Sequence, residues 1–301
     1  MKQKILYITG YARSGSTAMA SLLGDQPEIF AAGELSQILR VVRSENEYCS
    51  CGRPAAACAF WSNVRSKWHD EIGTPSELLC DVPPSFRHNR FTYRPRITTE
   101  SQWRAYITQT TSLLEIVKKC SGKSVVLDSS KSPLRALALS KIDDLDLSVV
   151  HLVRDVRGVA LSRSRNWSAD PQRGIAAPQI GRSLSFTALD WLRENVRANQ
   201  VRSMLGERCI LVRYEDFVDR PLQTLTRVGA LLNINMSKLG KGSDKDHELK
   251  SGHQIAGNRM RLGRAERLKA DCNWRSALSW QERLTTWILA SPIACQYGYA
   301  P

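Results

Sequence analysis

The sequence predicts an α/β fold of three layers, a central parallel sheet flanked by helices, and three observations predict it. Short apolar runs of strand length alternate with stretches of helical spacing along the whole chain. The runs are apolar almost throughout rather than on every second residue, as parallel strands covered on both faces require. The first run passes through a glycine loop directly into a helix of small and apolar residues.

Each element follows in order. Residues 4–9 (KILYIT) read as a short buried strand, and residues 15–24 (GSTAMASLLG) as a helix. QPEIFAAGEL is a turn followed by a second short apolar run. Residues 44–62 read as a loop rich in Cys, Ala and Gly, and 63–97 as irregular, with Pro83, Pro84 and Pro95 as breakers. Helical spacing returns over 100–120 in Trp103, Tyr106, Ile107, Leu113, Leu114 and Val117. SVVLDSS and LSVVHLV (147–153) are strands, and RGVALSRSR begins a helix. Residues 165–183 carry Pro171, Gly174, Pro178 and Gly181 and read as a connection or lid. A helix over 184–205, the strand CILVRYEDF with its exit, a helix over 222–232, a polar loop over 236–263 and a last helix over 276–290 complete the chain. With no internal repeat, one domain over 1–301 fits, carrying an insertion at 44–100.

The bulk numbers narrow the function. The 301 residues are 42% hydrophobic and 24% charged, ordinary for a globular protein. A net charge of +14 attracts anions: phosphorylated ligands, polyanions or anionic surfaces. Nucleic acid is not expected, because zinc-finger spacing, an RNP motif and long Lys/Arg runs are all missing from the sequence. No apolar run is long enough for a transmembrane helix, and MKQKILYITGYARSG is too short in its apolar part to read as a signal peptide, so a cytoplasmic location is expected.

The chemistry begins at Gly10-Tyr-Ala-Arg13-Ser14-Gly15-Ser16-Thr17, which matches the outline G-x-x-x-x-G-x-[ST] of a phosphate loop and makes the fold P-loop-like. Glycines let successive N–H groups turn inward, the helix N-terminus adds its dipole, and the hydroxyls of Ser14, Ser16 and Thr17 add donors. Ser16 stands where a P-loop kinase or NTPase has its lysine, and the fixed cation comes three residues earlier as Arg13. No strand offers a clear aspartate for magnesium; LDSS (127–130) is the nearest. A kinase or NTPase, or a basic nucleotide- or nucleic-acid-binding protein without catalysis, are the competing readings. A second anion site suggests itself in His151-Leu-Val-Arg154-Asp-Val-Arg-Gly-Val-Ala-Leu-Ser162, where Arg154 ends a strand and Ser162 lies on the next helix.

With both motifs in view, the sequence resembles the sulfotransferases that use 3′-phosphoadenosine 5′-phosphosulfate. YARSGST is similar to their 5′-phosphosulfate loop and LVRDVRGVALS to their 3′-phosphate motif. VLDSSKSPLR (126–135), LVRYEDF (211–217), HQIAGNRMR (253–261) and CSCGRPAAACAFW (49–61) resemble further segments of bacterial members, in the same order. The likeness is nearer the carbohydrate and tyrosylprotein branch than the cytosolic branch. It implies in-line sulfuryl transfer without a metal to an acceptor hydroxyl or amine, with the acceptor binding in the 44–100 insertion.

The resemblance also implies roles. Ser14, Gly15, Ser16 and Thr17 hold the 5′-phosphate, Arg154 and Ser162 the 3′-phosphate, and Arg13 steadies the leaving oxygen. Glu34 in AAGEL is the expected base, one short connection beyond the phosphate-loop helix, with Asp128 the second candidate. Lys131 contacts the sulfuryl group or the acceptor, and Tyr214 is read either as an adenine contact or as a core aromatic. Arg261 supplies the basic position of the last loop, where Arg259 departs from the more usual proline. His151, Trp191 and Trp274 are expected in the core, and His253 near the site at most. Cys49, Cys51 and Cys58, with His69 further on, do not form a recognised zinc spacing, and a disulfide or free thiols are expected of them. Neither the acceptor nor the oligomeric state is legible.

Overall fold

Ile5, Leu6, Tyr7 and Ile8 are all fully buried, and this first apolar run forms the central strand β1 (Gln3–Thr9) of a parallel sheet. The computed structural model describes residues 2–75, 99–171, 177–236, 252–262, 268 and 270–301. The sheet holds β2 (Ile29–Gly33), β3 (Val125–Lys131), β4 (Leu145–Val153) and β5 (Cys209–Arg213) besides β1. Their order is β2-β3-β1-β4-β5, and every neighbouring pair is parallel. The chain passes from β1 to the edge strand β2, returns to β3 beside β1, and then crosses to β4 and β5 on the other side, so the C-terminal ends of β3, β1 and β4 lie side by side where ligands bind in such sheets.

Alternate side chains of β1 enter different layers. Leu6 and Ile8 pack with Met19, Leu22 and Leu23 of α1 (Ser16–Gly24). Ile5 and Tyr7 pack on the other face, in a core that takes in α2 (Ile38–Arg43), α3 (Ala59–Ile72), α4 (Glu100–Ser121) and α5 (Pro133–Leu139). A third apolar cluster joins α6 (Val156–Ser164), α7 (Leu184–Leu205) and, further along, α11 (Trp280–Ala294). Between them come α8 (Tyr214–Asp219), α9 (Pro221–Leu232), whose Leu225, Val228 and Leu232 join the α1 face, and the single turn α10 (Trp274–Ala277).

Three sequence expectations need correction. Residues 59–72 are helical, where the sequence predicts a loop to 62 and irregular chain beyond it. Its apolar stripe is narrow, only Trp61, Val64 and Trp68, but the three and four residue steps put all three on one buried face. Trp68 Nε1 donates to the carbonyl of Gln109 on α4 at 3.2 Å. Helix α5 also escaped notice, despite Ser132 as N-cap, accepting from the Arg135 N–H, and Pro133 in its first turn. The last helix begins at the Ser279–Glu282 capping box rather than at 276. The connection after α6 is closed by a pair of backbone hydrogen bonds between Trp167 and Gln179, each 2.9 Å. Residues 172–176 of the expected lid, 76–98 of the expected insertion and 237–251 of the polar loop lie outside the described residues. No helix among the described residues is long and apolar enough to cross a membrane.

Candidate active site

The phosphate loop is suspended between β1 and β3. Gly10 donates its N–H to the carbonyl of Lys131 at 3.0 Å, and Thr9 Oγ1 donates to the same oxygen at 2.9 Å. Gly15 sits at φ +92°, and a Cβ there would lie 2.5 Å from the ring of Tyr214, so only glycine lets the loop close against that ring. Helix α1 starts at once, and the N–H groups of its first turn have no partner within the helix. They carry the positive end of its dipole into the same space. Ser14 Oγ is buried and unpartnered among the described residues.

The loop opens onto a cavity of about 660 Å³. Five cations line it, Arg13, Lys131, Arg154, Arg163 and Arg259, against two carboxylates, Glu34 and Asp271. Burial, and then the guanidiniums of Arg163, Arg259 and Arg154, pull Arg13 below its ordinary pKa. Cations crowded this way create a positive potential that an anion relieves. Arg13 and Lys131 also share a left-handed backbone, φ 70° and 71°, which non-glycine residues adopt at a cost of about 1–3 kcal/mol and mostly at functional sites.

Arg154 holds a fixed position. Its Nη1 donates to the Arg13 carbonyl at 3.1 Å, its Nη2 to the Asp271 backbone at 3.0 Å and side chain at 2.9 Å, and its guanidinium lies 4.6 Å from the Tyr214 ring centre. Although burial opposes it, the hydrogen bond and charge of Arg154 hold the Asp271 carboxyl below its usual pKa. Opposite, Arg259 stacks on Trp167 at 4.1 Å, and Arg163 Nε and Trp167 Nε1 are buried without partners among the described residues.

Glu34 stands where β2 ends. Gly33, at φ +85°, is pressed so closely by residue 255 that a Cβ would lie 2.1 Å from the Ile255 carbonyl oxygen. Ile255 donates to the Ala32 carbonyl at 3.0 Å and accepts from the Glu34 N–H at 2.9 Å, so 252–262 runs as a strap over the end of β2. Glu34 pairs with the Lys131 ammonium, which also donates to the Ser129 carbonyl at 3.2 Å. The strap then turns into the cavity, where the Asn258 N–H donates to Thr17 Oγ1 at 3.2 Å.

Of the residues singled out in the sequence, Arg13, Gly15, Ser16, Thr17, Glu34, Lys131, Arg154, Ser162 and Tyr214 all line this cavity. Arg261 does not: its buried guanidinium donates to the carbonyls of Gly257, Asn258 and Tyr48, bracing the strap from behind. Asp128 is also elsewhere, fully buried, with Oδ2 on Arg135 at 2.9 Å and Oδ1 accepting from the N–H groups of Ser130 and Leu35. Arg163, Arg259, Trp167, Gln179 and Asp271 were missed. Only Arg259 had a signal, as the residue replacing an expected proline.

His151 is a core histidine, its Nε2 3.0 Å from Asn195 Oδ1, and burial pushes its pKa down to about 4. Trp191 is fully buried, but Trp274 is only half-buried, under the Arg157 guanidinium at 4.1 Å. Cys49, Cys51 and Cys58 form no disulfide in this structure, and the histidine that joins them is His253 of the strap, not His69.

Comparison with known proteins bears on this cavity. A model described as the sulfotransferase family matches residues 6–238. No curated protein matches. Among solved structures, the chain aligns with the sulfotransferase domain from the Synechococcus PCC 7002 olefin synthase at TM-score 0.51 and 18% identity, over 100% of this chain and 97% of that one. The sulfotransferase domain from the curacin biosynthetic pathway aligns at TM-score 0.48 and 16% identity, over 100% and 99%. Sulfotransferase STF1 from Mycobacterium tuberculosis H37Rv aligns at TM-score 0.43 and 15% identity, over 79% and 70%. At 18% identity the first of these likenesses speaks for the fold alone.

Proposed function

Because the chain belongs to the sulfotransferase family, we propose that it transfers the sulfuryl group of 3′-phosphoadenosine 5′-phosphosulfate to a hydroxyl or amine acceptor in this cavity. The observation that carries this reading is the convergence of five cations and a phosphate loop on one space at the strand ends. Of the sequence-predicted loop residues Ser14 does not line the cavity, but the buried, unpartnered Arg163 Nε and Trp167 Nε1 of lining residues suit an anionic ligand with several acceptor oxygens. The donor supplies an activated sulfuryl group on a phosphate leaving group; the chain supplies alignment, charge neutralisation and proton removal.

The first-turn N–H groups of α1 and the hydroxyls of Ser16 and Thr17 bind the 5′-phosphate. Arg13, on the same loop, faces the oxygen on which charge develops as its bond to sulfur breaks. Arg154 and Ser162 hold the 3′-phosphate, with Tyr214 stacked between that site and the loop. A phosphate there replaces the Asp271 carboxylate on Arg154. As the acceptor oxygen or nitrogen bonds to sulfur, its proton passes to Glu34, which Lys131 holds in orientation. No part of this scheme routes through a metal.

Incubation with donor labelled in its sulfate and a panel of sugars, phenols, lipids, peptides and amines tests the reading. Label transfer to one acceptor class is expected. Failure with every class, together with turnover of ATP and magnesium, would replace it with a kinase or NTPase.

A further inference from the structure

Away from the reaction, the start of α3 and the strap bring together three sulfurs and an imidazole. Cys51 Sγ and Cys58 Sγ are 3.7 Å apart, and His253 Nδ1 lies 3.7 Å from Cys49 Sγ and 3.4 Å from Cys58 Sγ. All four atoms lie within 4.8 Å of one another. A tetrahedral zinc ion, with bonds of about 2.3 Å to sulfur and about 2.0 Å to nitrogen, spaces its ligands about 3.8 Å (sulfur to sulfur) and about 3.5 Å (sulfur to nitrogen) apart. The Cys51–Cys58 separation and the two from His253 Nδ1 match that spacing, and the Cys51–Cys58 separation exceeds a disulfide bond of about 2.0 Å by far. We propose that Cys49, Cys51, Cys58 and His253 form a structural zinc site.

The surrounding chain is built to hold these ligands. Cys49 donates its N–H to the Arg53 carbonyl and accepts from the Gly52 N–H, both at 2.9 Å, which folds Cys49-Ser-Cys51-Gly into a tight knuckle. Ser50, between the two cysteines, grips the strap on both sides of the histidine. Its N–H donates to the Gln254 carbonyl at 3.0 Å, its hydroxyl to the Gly252 carbonyl at 2.8 Å, and it accepts from the Gln254 N–H at 2.8 Å. Trp61 Nε1 donates to the His253 carbonyl at 2.6 Å, and the Phe60 ring stacks on the imidazole at 5.1 Å with 9° between planes. Four protein ligands would fill a tetrahedron and leave no open position, as in structural zinc; Cys49 and Cys58 are buried, His253 is half-buried and Cys51 is exposed. The sequence spacing alone missed the site because its fourth ligand lies 195 residues beyond Cys58.

The site also has a use. Two residues after His253, Ile255 pairs with Ala32 and Glu34; five after it, Asn258 reaches Thr17. Zinc therefore pins the strap that encloses the candidate base and touches the phosphate loop. Metal binding of this kind adds directly to folding stability.

The test is metal analysis of protein expressed with zinc and purified without a histidine tag. One zinc per chain is expected in wild type and in Cys295→Ser. It should be lost on dialysis from Cys58→Ser and His253→Ala. Stripped wild type refilled with cobalt should give the intense visible bands of tetrahedral thiolate-bound cobalt, a readout that does not depend on any variant folding. Wild type that binds neither metal would overturn the proposal, as would zinc retained in Cys58→Ser or a Cys51–Cys58 disulfide in the purified protein.

Discussion

Glu34 pairs with Lys131, and Asp128 pairs with Arg135, along the adjacent strands β2 and β3. The two pairs differ in what else holds them. Asp128 and Arg135 are 0% and 1% exposed; the carboxylate takes further hydrogen bonds from two backbone N–H groups and the Arg135 guanidinium also meets Tyr106. Glu34 and Lys131 are 18% and 17% exposed and line the cavity. A fully buried pair braced by several further hydrogen bonds resists change in charge, because either partner left alone is an unpaired buried ion. A pair at a cavity wall can exchange its partner for a ligand. Acid–base pairs on neighbouring strands thus serve structure in one place and, in the proposed function, chemistry in the other, and accessibility with the number of remaining partners decides which.

The largest expected effect falls on turnover. Glu34→Gln keeps shape and hydrogen bonding but cannot take a proton, so turnover should fall by about 10²–10⁴-fold in single-turnover kinetics with the identified acceptor. Thermal melting and binding of the donor product should stay as in wild type. Near-normal turnover would remove Glu34 from the mechanism.

Asp128→Ala should behave in the opposite way. It strands Arg135 in the core, and breaking such a pair costs about 3–5 kcal/mol in denaturant unfolding. Soluble Asp128→Ala with wild-type stability but no turnover would break the comparison and move the chemistry to β3.

How far these roles could be read in advance follows from chain distance. The phosphate loop, Gly10 to Thr17, is contiguous, so its geometry is written in one stretch of sequence; Arg154 and Ser162 share one strand-to-helix turn for the same reason. The sheet was legible because buried parallel strands are apolar without interruption. Asp128 and Glu34 looked alike because the sequence places each at a strand end; the fold puts Asp128 in the middle of β3, where Arg135, on an unrecognised helix, claims it. Trp167 and Asp271 were illegible because irregular connections carry them to the cavity, and Arg163, next to Ser162 on α6, because an arginine on a helix is most often solvated. The strap was illegible for the same reason, since Arg261 turns away to brace Gly257 and Tyr48 while its neighbour Arg259 turns in.

Smaller effects sharpen the contrast between chemistry and holding. Arg154→Ala removes charged hydrogen bonds worth about 1.5–3 kcal/mol from a phosphate whose charge does not change during transfer. Affinity for the donor product should drop by about 10–100-fold, with the rate at saturating donor preserved. Arg13→Ala should instead lower that rate, because it faces charge that develops. Kinetics in which both variants alter only the donor KM would erase the distinction. Smallest is Asp271→Asn. Its carboxylate occupies Arg154 at 2.9 Å, so neutralising it should raise donor-product affinity by less than about tenfold, read by calorimetry. A loss of affinity would make Asp271 part of the ligand's own contact set.

The claim beneath all of these is that one cavity holds two phosphates, at Arg13–Thr17 and at Arg154 with Ser162. Titration calorimetry of wild type with 3′-phosphoadenosine 5′-phosphate, alongside AMP, tests it most directly. The two-phosphate account predicts a single site per chain that binds the bisphosphate at least about tenfold more tightly than AMP, the extra 3′-phosphate contributing about 1.4 kcal/mol or more. Equal affinity for the two nucleotides, or no binding of either, would contradict it.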